Sequence, residues 1–76
     1  MNEYDRKVER LRASIALLDG ADIATRAIGP LANCRGTLAA ATNPPRGGSK
    51  PTSVELGRAA FVAAECYLWT FGHWPK

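Results

Sequence analysis

A segment rich in proline and glycine divides the chain and limits what it can fold into. This segment, NPPRGGSKP at residues 43–51, contains three prolines and two adjacent glycines. Proline lacks the backbone N–H that helices and strands use, and glycine loses the most conformational entropy when it is ordered. Regular secondary structure is therefore excluded here. We expect a loop over 43–52, with the fold assembled from the segments on either side.

The segment before the loop begins with a helical pattern. Its apolar side chains recur at steps of three and four residues, which is the spacing of one face of an α-helix; they are Tyr4, Val8, Leu11, Ile15 and Leu18. Glu3 and Lys7 are spaced for a favourable pair on the exposed face. The pattern predicts a helix over 3–19, which Gly20 either ends or weakens.

A glycine followed by a proline interrupts the next helical pattern. Proline disfavours helical geometry at the residue before it and is best tolerated in the first turn of a helix. Gly29 and Pro30 therefore predict two separate helices, over 21–28 and 30–42, as parts of a kinked N-terminal arm. In the second of these, Leu31, Cys34 and Leu38 form an apolar edge.

The segment after the loop opens with a helix-start signal. Thr52 is followed three residues later by Glu55, which is a capping-box arrangement and predicts a helix over 53–72. One face of this helix carries small apolar residues, and a second face carries bulky ones, namely Phe61, Leu68 and Phe71. One partner helix cannot cover both faces.

These segments together predict a single all-α domain over 1–76, either a helical hairpin or a three-helix protein. A chain of 76 residues builds only a small core, which rarely supplies more than about 3–5 kcal/mol. We therefore expect self-association to cover the remaining apolar surface, in a homo-oligomer.

Charge, cysteines and targeting signals exclude several classes of protein. The net charge is +3 and the basic residues are scattered, so no stripe for duplex DNA is predicted. Cys34 and Cys66 lie far apart and are expected to be buried and reduced. With His73 as the sole histidine, no metal site is expected. The charged start MNEYDRKVER is not a signal peptide, and Glu65 interrupts the most apolar run, so we expect a cytoplasmic protein without a membrane contact.

The loop itself is a candidate anion site. The amides of Gly47 and Gly48, followed by the helix start at Thr52 and Ser53, suit phosphate binding; Arg46 and Lys50 would add charged donors. The spacing is not that of a Walker A motif. An ordinary solvated connector explains the same residues.

The last helix carries a second candidate group. Glu65, Trp69 and His73 are spaced four apart, with Arg58 about two turns before Glu65, so Trp69 could stack on a nucleobase with polar neighbours beside it. The structural alternative places Trp69 in a core or subunit contact and pairs Glu65 with an arginine. No nucleophile shares this face, and no catalytic residue or cofactor is expected. Tyr4, beside Lys7 and Arg6, is the other side chain that could stack on a base; the alternative is a core role at the end of the first apolar stripe.

The last third of the chain resembles a known family. The residues that carry the resemblance, in SVELGRAAFVAAECYLWTFGH over about 53–73, are Ser53, Glu55, Leu56, Ala59, Glu65, Leu68, Trp69 and His73. They resemble the helical-hairpin domain of phage cyclic-nucleotide sponges, which counter CBASS and Thoeris immunity. The resemblance implies a symmetric all-α homo-oligomer, commonly a hexamer, that sequesters cyclic di- or trinucleotides between protomers without cleaving them. In that family a tyrosine, a lysine and other basic or hydroxyl residues hold the ligand, which would give such roles to Tyr4 and Lys7.

Two functions thus stand as hypotheses. The first is a phage-type sponge with phosphate on Arg46, Lys50 and the helix start at Thr52, and bases on Tyr4 or Trp69. The second is an anti-CRISPR-like inhibitor that contacts a host defence protein through the charged face around Arg6, Arg10 and Arg12. A structural subunit that docks on an unrelated partner is a third interpretation.

Overall fold

The protein is all-helical. A computed structural model, which describes residues 1–76, contains three helices and no strand: α1 is Glu3–Ala16, α2 is Thr25–Thr42 and α3 is Ser53–Phe71. Each helix packs against both of the others. The predicted all-α fold is confirmed, in its three-helix form.

Helix α1 forms where the apolar stripe predicts it. The Asn2 side chain caps its first turn by accepting a hydrogen bond from the Asp5 amide at 2.8 Å, which satisfies an N–H that has no partner within the helix. Val8, Leu11 and Ile15 are buried. The predicted pair of Glu3 and Lys7 is present, with 3.7 Å between Oε1 and Nζ.

The helix predicted over 3–19 is too long, and the one predicted over 21–28 does not form as a separate element. Helix α1 ends at Ala16, and residues 17–20 form a turn in which Gly20 has a φ of +75°. That left-handed conformation favours glycine because no Cβ is present. The turn still places Leu18 in the core, 1% exposed, which explains why the apolar pattern runs past the end of the helix.

The predicted break at Pro30 is wrong. Helix α2 runs without interruption through Gly29 and Pro30. Pro30 cannot donate to the carbonyl of Arg26, but Gly29 has no Cβ to clash with the proline ring, and this removes part of the usual penalty. Ala27 and Leu31, on either side, are both buried. Packing of both residues against the same core therefore holds one continuous helix.

Helix α3 begins and ends close to its predicted bounds. The Glu55 amide donates to the Thr52 hydroxyl at 3.1 Å, and the Thr52 amide donates to the Glu55 carboxylate at 3.2 Å. This is the predicted capping box. At the other end Gly72 adopts a φ of +84°, and its amide donates to the carbonyl of Leu68 at 2.8 Å.

The core lies where the three helices meet. Helix α3 contributes mainly small side chains, so that α1 and α2 approach its backbone closely. Helix α1 contributes larger ones, and α2 contributes Leu31 beside the smaller Ala27, Cys34 and Ala41. The buried residues of α3 are Leu56, Ala59, Ala60, Ala63 and Cys66. No helix is both long and apolar enough to cross a membrane.

Candidate functional site

Side chains from the start of α1 meet the residues that lead into α3. The Tyr4 hydroxyl donates to the carbonyl of Pro51 at 2.8 Å. One turn along α1, the Lys7 ammonium donates to the carbonyl of Ser53 at 3.3 Å. The Lys50 ammonium lies 5.9 Å from the centre of the Tyr4 ring, within range of a cation–π attraction. An aromatic ring and two cations are thereby held together.

A cleft of about 540 Å³ opens beside this group and is called here the N-terminal cleft. Helix α1, the end of α2 and Lys50 form its walls; the lining residues are Met1, Tyr4, Asp5, Val8, Glu9, Arg12, Ala41, Thr42 and Lys50. The volume lies within the usual range for small-molecule sites. Its charges balance, since Lys50 and Arg12 oppose Asp5 and Glu9, and Arg12 pairs with Glu9 at 3.4 Å.

One backbone amide of the glycine loop already donates a hydrogen bond within the loop. The Gly48 amide donates to the carbonyl of Pro45 at 2.9 Å, and Gly47 has a φ of +78°, which together are typical of a type II turn. A Cβ at Gly48 would lie 2.6 Å from Cγ of Pro45, so this turn requires glycine there. Arg46 is exposed and lines no cavity. The structure therefore does not bring Arg46, Gly47 and Gly48 to the N-terminal cleft.

The start of α3 is internally capped. Its capping box occupies the Thr52 hydroxyl, and it holds the Glu55 carboxylate against the Thr52 amide. A carboxylate at that position repels a phosphate and already takes up one of the available donors. Phosphate roles for Thr52 and Ser53 stay predictions. The contact of Ser53 with this region is through its carbonyl, which accepts from Lys7.

A second concavity, the Trp69 groove, lies between α2 and α3 and has a volume of about 480 Å³. Helix α2 contributes one polar edge and α3 the other, above an apolar floor; the lining residues are Pro30, Asn33, Cys34, Thr37, Glu55, Arg58, Ala59, Val62, Glu65 and Trp69. The guanidinium carbon of Arg26 lies 4.2 Å from the centre of the Trp69 ring, so Arg26 stacks on the indole.

Three of the four residues in the predicted group of Arg58, Glu65, Trp69 and His73 share this groove. Arg58, Glu65 and Trp69 line it together. The expected pairing of Glu65 with an arginine is absent, because the ion pairs in the molecule join other residues. His73 lies beyond Gly72, the residue that caps the end of α3. The centre of its ring lies 5.6 Å from the centre of the Tyr67 ring. The helix ends too early for His73 to align with Trp69.

Both cysteines are structural. Cys34 and Cys66 are buried and unbridged, as predicted. The Cys34 thiol donates to the carbonyl of Ala59 at 3.3 Å. Burial, aided by the charge of Cys66, raises the pKa of Cys34 to about 11, and burial also raises the pKa of Cys66. Both therefore stay protonated near neutral pH and are poor nucleophiles.

The sequence-based site residues include Tyr4 and Lys50 of the N-terminal cleft and three residues of the Trp69 groove, but not Arg26, the cation that stacks on Trp69. Arg26 is 43 positions before Trp69, and no periodic pattern joins them. The two hydrogen bonds from Tyr4 and Lys7 also connect residues 47 and 46 positions apart. Nothing local in the sequence marks these contacts.

Comparisons with known proteins add no relative. No family model, no curated protein and no solved structure matches the chain significantly.

Proposed function

We propose that the protein binds cyclic di- or trinucleotide signals and sequesters them without cleavage, as a phage-type sponge in the cytoplasm of a host cell. The ligand would enter the N-terminal cleft, stack a base on Tyr4 and place a phosphate near Lys50, with Lys7 in a supporting role outside the cleft lining. The resemblance of residues 53–73 to the sponge hairpin supports this choice among the possible small anions.

The contact between Lys50 and the Tyr4 ring at the N-terminal cleft is the observation that carries the proposal. The hydrogen bond from Tyr4 to Pro51 holds the ring in place, so little side-chain entropy would be lost when a base stacks on it. Stacking contributes about 1–3 kcal/mol per base. The Lys50 ammonium provides donors for phosphate oxygens.

A single cleft does not match the charge of such a ligand. Two or three phosphates bring two or three negative charges, whereas Asp5 and Glu9 offset the cations that line the cleft. Each chain has a net charge of +3, so a second protomer would add positive charge only through basic side chains outside its own balanced cleft. The charge balance therefore favours a ligand held where such side chains of a second copy can reach it, as the resemblance implies.

The groups near the cleft favour sequestration over turnover. Phosphodiester cleavage needs an activated nucleophile or a positioned acid and base. The cleft contains carboxylates and no histidine, and its one hydroxyl other than Tyr4, that of Thr42, donates to the carbonyl of Leu38 at 3.0 Å. We therefore expect the ligand to be released unchanged.

Calorimetry with a panel of cyclic di- and trinucleotides tests the proposal. We expect heat with at least one member, and we expect Lys50→Ala and Tyr4→Ala each to weaken that binding at least about tenfold. Tyr4→Phe keeps the ring and should retain most of the affinity. Arg35→Ala is the matched control, since Arg35 lies 4.0 Å from Asp19 and outside the cleft. No heat with any member, or an equal loss with Arg35→Ala, contradicts the proposal.

The exposed basic face of α1 favours a second candidate, an inhibitor that contacts an acidic surface of a host defence protein. Arg6 and Arg10 are exposed and form no ion pair, and they line a shallow depression with Glu3 and Lys7. Reversing both arginines to glutamate should then abolish inhibition of the defence system in cells while leaving the heat of nucleotide binding unchanged. Retained inhibition contradicts this candidate.

A further inference from the structure

The solvent face of α3 carries a continuous apolar line. Its residues repeat every seven positions in two series, Val54, Phe61 and Leu68 in the first and Gly57, Ala64 and Phe71 in the second. These series take the a and d positions of a coiled-coil heptad, and together they are called here the α3 seam. Val54 is 66% exposed, Phe61 59% and Phe71 44%. Apolar side chains of this size seldom line one exposed face of a monomer.

The sizes along the α3 seam alternate. In an antiparallel pair of helices each a position faces a d position of the other copy. Phe61 of one copy then lies opposite Ala64 of the other, and Leu68 lies opposite Gly57. Each central layer combines one large and one small side chain, which fills space evenly. A parallel pair would place Phe61 against Phe61 and Gly57 against Gly57, which crowds one layer and empties the next.

Charges beside the α3 seam match the same arrangement. Arg58 and Glu65 occupy successive e positions, and neither forms an ion pair within the chain. Equivalent flanks meet in an antiparallel pair, so Arg58 of one copy faces Glu65 of the other. Two-fold symmetry forms this contact twice. The chain thus has complementary charges on the edge that a second copy would meet.

We infer that the α3 seam pairs with the α3 seam of a second copy, antiparallel and about a two-fold axis. The centres of the Trp74 and Phe61 rings lie 6.1 Å apart, so the indole borders one edge of the seam. Phe61 is still 59% exposed. The inference goes beyond the proposed function, because the pairing needs no nucleotide.

The mass of the ligand-free chain in solution tests the pairing. We expect a dimer of twice 8.2 kDa that dissociates on dilution. Phe61→Glu should raise the dissociation constant at least about tenfold, as loss of a central anchor does. Ile28→Glu is the matched control, because Ile28 is 57% exposed on α2, away from the seam. Circular dichroism should show unchanged helicity in both variants.

Charge exchange tests the orientation. Arg58→Glu and Glu65→Arg should each weaken the dimer, and the double variant should restore it, because the pair forms between copies only in the antiparallel arrangement. A monomer at every concentration overturns the inference, and so does an equal loss with Ile28→Glu. Absence of rescue in the double variant overturns the antiparallel register. Since no nucleotide is present, these outcomes are separate from a failure of nucleotide binding.

Discussion

The two faces of α3 are both apolar, yet only one of them is packed. The inner face carries one large side chain, Leu56, and otherwise small ones, namely Ala59, Ala60, Ala63 and Cys66, all buried, whereas the outer face carries Phe61 and Val54, both mostly exposed. The comparison shows that the inner face is built mainly from small side chains, because two helices must approach the α3 backbone from the same side.

The reason lies in packing density. Protein interiors are filled as tightly as organic crystals, so a helix that contacts two neighbours along one face must present small residues where they cross. Ala63 is completely buried at such a position. A side chain as large as Phe61 would not fit where the helices cross on the inner face. Phe61 is exposed on the outer face, so its burial by association would contribute favourable free energy.

Truncation on the two faces should give the largest contrast. Leu56 is completely buried, so Leu56→Ala removes buried methyl groups and leaves a cavity, and we expect a loss of about 2–5 kcal/mol in the free energy of unfolding. Val54→Ala on the outer face should change it by no more than about 0.5 kcal/mol. Urea denaturation of the dilute, monomeric chain measures both. Equal losses would remove the distinction between the faces.

Added bulk should give effects of opposite sign. Ala63→Leu inserts methyl groups into a filled inner position and should cost about 1–3 kcal/mol. Gly57→Ala adds one methyl group to the outer face, where a Cβ meets nothing within 4 Å, and should stabilise the helix by about 0.5–1 kcal/mol. The same denaturation assay reports both signs. Stabilisation by Ala63→Leu would show that the inner face is loosely packed.

Burial of Cys34 against α3 should make the stability of the protein depend on pH in the alkaline range, and this effect should be smaller than those of truncation and added bulk. The pKa of Cys34 rises from 9.0 to about 11 on burial, so the folded state holds its proton more tightly than the unfolded state. The resulting stability is fully present below pH 9 and is lost as the pH rises through 11. Between pH 9 and 11, the urea concentration at the midpoint of unfolding should fall more steeply with pH for the unmodified chain than for Cys34→Ala. Parallel curves would indicate that water reaches the thiol.

Local signals in the sequence predicted most of the fold. The stripe on α1 and the capping box at Thr52 are contained within a few residues, and both are present in the structure. The break at Pro30 was predicted from an equally local rule and is wrong, because Ala27 and Leu31 pack on the same core from both sides of the proline. The end of α1 was predicted too far along the chain, because Leu18 continues the apolar pattern although it lies in the turn after the helix, from which it is buried in the core.

The candidate sites were less accessible to sequence reasoning. Tyr4, Lys50 and Trp69 were chosen for their chemistry, but the sequence grouped Tyr4 with Lys7 alone and aligned Trp69 with His73. The structure instead joins Tyr4 to Pro51 and stacks Arg26 on Trp69. Such contacts depend on the relative position of two helices, and helical periodicity carries no information about it.

The sequence by itself determined the helices, the loop and the apolar faces, because propensity, capping and periodicity act between residues within about one or two turns. Only the tertiary structure decided which apolar face of α3 became the core and which became the seam. That choice depends on how closely three helices can approach one another. It sets the contacts of Tyr4 with the α3 entry, and it leaves Phe61 open to a second copy.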